Sequence, residues 1–129
     1  MIFVDTNYFL RYLRADIPKQ YEEAKDLFLK AATGEVTLFT SITVIFEIYW
    51  VMQKFYGENK EKTADHLKDI LSMGFVKVQE GGLMKQAIDI YSRTKLDLED
   101  SYNLVYAINK KAEDFKTFDK KLEKAFKAR

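Results

Sequence analysis

Met1-Ile2-Phe3-Val4-Asp5-Thr6-Asn7 opens the chain. An unbroken apolar run lacks the alternation of a half-exposed strand, so Met1 to Val4 predicts a short strand buried on both faces. Asp5 ends the run, and a helix is predicted from Thr6. After the Ile17-Pro18 break, Tyr21, Ala24, Leu27, Phe28 and Ala31 return at helical spacing, and Gly34 stands where a helix-ending glycine belongs. Val36 to Thr40 reads as a strand. Ser41 can cap the apolar helix that runs through Ile45, Ile48 and Phe55 to Gly57. Lys60 to Met73 predicts a helix, Phe75 to Val78 a strand, Leu83 to Arg93 and Leu98 to Glu113 helices, and Phe115 to Phe118 a final strand before a C-terminal helix.

Strands alternating with helices imply parallel strands joined by helical crossovers, with helices on both faces of the sheet. The fold class is therefore α/β. The expected architecture is a three-layer α/β/α domain with a central, mainly parallel sheet of four to five strands. In such sheets ligands bind beyond the carboxyl ends of the strands. Asp5 and Asp119 follow predicted strands and occupy that kind of position.

With 129 residues, no repeat and no linker-like segment, the chain is expected to form one domain over 1–129. It has no cysteine, which excludes disulfides, thiolate metal sites and cysteine nucleophiles. No basic leader precedes Asp5, and no apolar run reaches the ~20 residues of a membrane span, so a cytoplasmic protein without membrane contact is expected. Lys and Arg number 21 against 20 Asp and Glu, a net charge of +1, so a broad positive field of the kind a non-specific duplex binder needs is missing. Contact with nucleic acid must be local.

The acidic residues carry the chemistry. Asp5, Asp97 and Asp119 each precede a predicted helix and can serve as N-caps, and Asp97-Leu98-Glu99-Asp100 has the spacing of a capping box. Glu47 has no such role. It lies among Val44, Ile45, Phe46, Ile48, Tyr49 and Trp50, where a charge should be paired, with Lys54 two turns later as the available partner, or should hold a cation. Gathered together, such carboxylates suit magnesium or manganese, hard ions that prefer oxygen ligands and that assist phosphodiester hydrolysis. Asn7 and Thr117 offer neutral oxygens beside the acids. They can support metal ligands or simply form turns.

Val4-Asp5-Thr6-Asn7, a mid-helix Glu47, Asp97-Leu98-Glu99-Asp100 and Thr117-Phe118-Asp119, in this order, resemble the pattern of PIN domains, and the compact length is similar to the VapC-type toxins of toxin–antitoxin pairs. The resemblance covers essentially the whole chain. It implies a PIN-like fold and a metal-dependent endoribonuclease that cleaves single-stranded or looped RNA, using Mg2+ with Mn2+ as a substitute, and restrained by a cognate antitoxin. It places the metal-binding and catalytic quartet on Asp5, Glu47, Asp100 and Asp119, with Asn7, Asp97, Thr117 and Ser41 in supporting positions. Glu99 departs from the small residue usual between the two aspartates of that motif, so it can compete for the metal. Two other readings stay open: a housekeeping PIN-type RNA-processing nuclease, and an inactive PIN-like module that binds a protein partner.

Phe46, Tyr49 and Trp50 are expected to project away from a Val44, Ile48, Val51 and Phe55 face. A helix so coated calls for two partners, the sheet on one side and on the other a second subunit, an antitoxin helix or the following helix of the same chain; a homodimer is expected. Arg11, Arg14, Arg93 and Lys95 are candidate phosphate contacts, equally readable as solvated charges. His66, the single histidine, reads as a surface residue, which gives a histidine acid–base mechanism or a zinc site no support. The Asn at position 7 removes the second aspartate that a haloacid-dehalogenase-type phosphatase requires, and no glycine-rich phosphate loop is present.

Overall fold

In the computed structural model, which describes residues 1–129, the first strand β1 spans Ile2–Phe3 and is followed by α1 (Thr6–Arg14) and α2 (Pro18–Ala32). Strand β2 (Leu38–Thr40) leads to α3 (Ile42–Trp50), which continues as a π-helical turn (Val51–Phe55), and α4 (Lys60–Leu71) precedes β3 (Val76–Val78). Three helices complete the chain: α5 (Gly81–Arg93), α6 (Leu98–Asn109) and α7 (Lys120–Lys127). The strands pair in parallel in the order β1-β2-β3, with Ile2 opposite Leu38 and Leu38 opposite Val76. Every connection within the sheet is therefore helical, as parallel pairing requires. The chain divides into two compact units, Met1–Gly81 and Gly82–Arg129.

In the first unit, buried apolar side chains come from each helix: Phe9, Phe28, Ile45, Ile48, Leu67 and Ile70, with Leu38 from the sheet. Phe9 packs on Phe28 with ring centroids 5.6 Å apart, and Tyr12 meets both Phe28 and Tyr21, joining α1 to α2 through aromatic faces. Helix α2 ends as its glycine predicts. Gly34 takes a φ of +86°, Glu35 N–H donates to the Lys30 carbonyl and Gly34 N–H to that of Ala31, the two bonds of a Schellman cap. In the second unit, Leu96, Leu104, Leu122 and Phe126 form a cluster joined by Phe115, whose ring lies 5.4 Å from that of Phe126.

One buried hydrogen bond ties the first two strands at their carboxyl ends. Thr40 Oγ1 donates to the Val4 carbonyl at 2.7 Å, out of contact with solvent. Replacing Thr40 by the isosteric valine is expected to remove this bond and leave the carbonyl short of a partner, at a cost of about 1–3 kcal/mol. A fall in Tm of roughly 4–10 °C by calorimetry would show it.

Three features correct the sequence reading. The sheet has three strands rather than four to five, because residues 115–118 form no ladder. Local side-chain bonds hold that segment instead: Asp114 accepts from Phe115 N–H at 2.8 Å, and Thr117 Oγ1 accepts from Asp119 N–H at 3.1 Å. Strand β1 is not buried on both faces either. It is an edge strand, with Ile2 and Phe3 exposed and only Val4 of the run buried. Finally, the π-turn inserts one extra residue, which rotates the side chains beyond it by about 100°. Phe55 is 74% exposed as a result, whereas ahead of the turn Tyr49 is buried and Trp50 is 54% exposed.

Candidate metal and nuclease site

Asp5, Asp97 and Asp119 stand where a strand or loop hands over to a helix, Asp100 lies in the first turn of α6, and Glu47 lies within α3. Asp5 is extended and caps α1, its Oδ1 accepting from Thr6 N–H at 2.8 Å. Asp97 caps α6 through Oδ1, which accepts from Asp100 N–H at 2.8 Å. Asp119 caps α7, with Oδ1 taking N–H bonds from Lys121 at 2.9 Å and Leu122 at 3.2 Å. Thr117 in turn fixes Asp119 by accepting from its N–H, and Ser41 caps α3 by accepting from Val44 N–H at 3.3 Å. In all three capping aspartates Oδ2 remains outside the cap. That oxygen is the one a cation could take.

Glu47 needs neither a partner nor a cation to be accommodated. It is exposed on α3, so its charge is solvated, and no ion pair joins it to Lys54. Seven residues along a helix set Lys54 about 10 Å from Glu47 in axial rise, beyond the reach of an ion pair. Asn7 is exposed in the first turn of α1 and, with Tyr8, Arg11, Gln20 and Glu23, lines a cavity of about 200 Å³.

In the second unit the acids act on one another. The Asp100 carboxyl is held above its ordinary pKa, chiefly by burial, then by the negative fields of Asp97, Asp119 and Glu99, with Lys121 pulling the other way. A folded-state pKa raised above the unfolded one means that ionising Asp100 works against the fold: stability falls as pH rises through the folded pKa and returns below it. A cation nearby would relieve that repulsion. Within either unit, no three Asp, Glu or His side chains form a ready-made cage for an ion. In the second unit, Asp97, Asp100 and Asp119 offer carboxylate oxygens, the donor type a hard divalent cation takes, with Oδ2 of each capping aspartate uncommitted.

A family model described as PIN domain matches residues 2–127. The chain belongs to the PIN-domain family. Neither a curated protein nor a solved structure matches it significantly. PIN domains are generally nucleases, typically dependent on divalent metals and acting on RNA, so membership supports a nuclease and hydrolase. No helix of this PIN-domain chain is long and apolar enough to cross a membrane.

The basic residues sort differently from the sequence reading. Arg11 donates to Gln20 at 2.7 Å, Arg14 stacks 3.8 Å over the Tyr56 ring, and Arg93 pairs with Asp89 at 3.1 Å. Each already has a neighbour in the protein, whereas Lys95 lines a groove of the second unit. His66 is not a plain surface residue. Its Nδ1 lies 3.1 Å from Oε1 of Glu58, whose side chain is only 3% exposed and also accepts from Thr63 Oγ1 at 2.9 Å. Glu58 directly follows the π-turn region, so this buried cluster fastens that region to α4. A Glu one residue ahead of the Asn59 cap was the only sequence sign of it.

Proposed function

We propose that the chain acts as one PIN domain over residues 1–129, a metal-dependent endoribonuclease that cuts single-stranded or looped RNA in the cytoplasm. Asp5, Glu47, Asp100 and Asp119 are its metal ligands and catalytic acids, with Asn7, Ser41, Asp97 and Thr117 in support. The observation that carries this reading is the PIN-domain match across residues 2–127, which includes every acid of the quartet. The raised pKa of Asp100 supports it, because burial first and the neighbouring acids second make its charge costly, and a cation would compensate that charge. Bound there, Mg2+, or Mn2+ in its place, would supply Lewis-acid polarisation of the phosphodiester. The acids hold the ion, and Thr117 holds Asp119 in its orientation.

The compact length further supports the toxin of a toxin–antitoxin pair, kept inactive by a cognate antitoxin protein and assembled as a homodimer. Trp50 and Phe55, both exposed on α3 and its π-turn, are the side chains that such a partner would cover. A housekeeping RNA-processing nuclease would use the same acids. An inactive binding module is the rival that the caps favour, since Asp5, Asp97 and Asp119 all have structural work without any metal.

Melting with and without manganese separates these readings. At about ten times its Kd, manganese is expected to raise the parent Tm by roughly 5 °C. Glu47→Gln and Asp100→Asn should lose that rise, and Asp100→Asn alone should start from a higher baseline because it removes a repelling charge. An identical response in parent and variants would favour the binding module.

A further inference from the structure

Phe118 stands fully in solvent, at 104% relative exposure, immediately ahead of Asp119. An apolar residue in that place, just before an N-cap, ordinarily packs on the fourth residue of the helix. In α7 that residue is Glu123, so the ring finds no apolar partner there and adds nothing to the core. The next two residues are also out of keeping with stability. Lys120 and Lys121 open α7, where positive charge opposes the helix dipole. Beside them lies a groove of about 340 Å³, lined by Leu96 and Ala125 together with Lys95, Lys121 and Lys124. None of these three lysines is held in an ion pair.

An exposed aromatic face, an apolar wall and unpaired amines are what a single nucleic-acid strand binds: bases stack on the ring and phosphates meet the amines. A duplex would not use the ring, because its bases are already stacked. We propose that Phe118 stacks on a base of single-stranded RNA beside Asp119, while Lys95, Lys121 and Lys124 hold neighbouring phosphates along the groove. This rests on the ribonuclease reading and makes Phe118 a substrate-binding residue of that site.

The test is the affinity of the protein, in EDTA so that no cutting occurs, for a labelled oligouridylate about ten nucleotides long and for the same strand made abasic. Phe118→Ala is expected to weaken binding of the intact strand about tenfold and to leave the abasic strand unaffected, while Phe118→Trp restores the parent affinity. Lys121→Ala and Lys124→Ala should each lower the slope of log affinity against log salt by about one, for both strands. Parent-like affinity in Phe118→Ala would overturn the proposal and assign the ring to a protein contact; so would an equal loss on the abasic strand, or a parent that binds neither strand. Cleavage with metal by a Phe118→Ala protein of parent-like affinity would leave the ribonuclease reading standing. Phe118-dependent binding without any cleavage would remove that reading and keep the stacking site.

Discussion

Asp119→Asn is expected to lower the rate of RNA cleavage by about 10³-fold, corresponding to ~4 kcal/mol, while leaving the fold intact. The two effects separate because the observed cap and the proposed metal contact fall on one side chain. Its Oδ1 accepts from Lys121 and Leu122 N–H, and an asparagine oxygen can accept both bonds equally well. What the amide removes is the negative charge for which a cation would compete. Asp119→Ala would remove both, adding a loss of about 1 kcal/mol in stability to the loss of cleavage. Rates on labelled RNA, read beside thermal melts of both variants, give the comparison. Equal cleavage by Asp119→Asn and the parent would leave Asp119 as a cap and nothing more.

Phe9→Ala is expected to have the largest effect on stability, about 3–5 kcal/mol, or a fall in Tm on the order of 15 °C. Phe9 is fully buried on α1 and packs on Phe28 of α2. Truncation leaves a cavity between two helices whose contact is largely aromatic, with little slack for collapse. Since Asp5 caps α1, the variant should also lose activity at temperatures where the parent remains fully active. Chemical denaturation at constant m-value would confirm a change in stability rather than in compactness.

How far the sequence carried varies from element to element. Helix starts were legible wherever a short polar side chain precedes an apolar run: Ser41, Asp97 and Asp119 all cap as their spacing predicts. Gly34 marked the end of α2 because only a left-handed residue completes that cap. The alternation of β2 and β3 with helices gave the parallel sheet. Phe115-Lys116-Thr117-Phe118 misled because its composition suits a strand, whereas Asp114 and Thr117 bind the local backbone and Phe115 turns onto Phe126. The π-turn had no sequence mark at all. It shifted the phase of the residues that follow α3, so that Phe55 leaves the buried side, while Glu47, ahead of the turn, is solvated on its own. The candidate acids themselves were visible from their order and neighbours. Their capping bonds were foreseen as an alternative to metal binding, and the structure gives each capped aspartate that bond with its second oxygen outside the cap.

The most direct measurement is cleavage of a labelled RNA pool by the purified protein with magnesium or manganese, against EDTA. Cutting that requires the metal, is abolished by EDTA and fails in Asp100→Asn is the expected result. Folded, partner-free protein that leaves every RNA in the pool intact under both metals, or that cuts equally in EDTA, would contradict a metal-dependent ribonuclease.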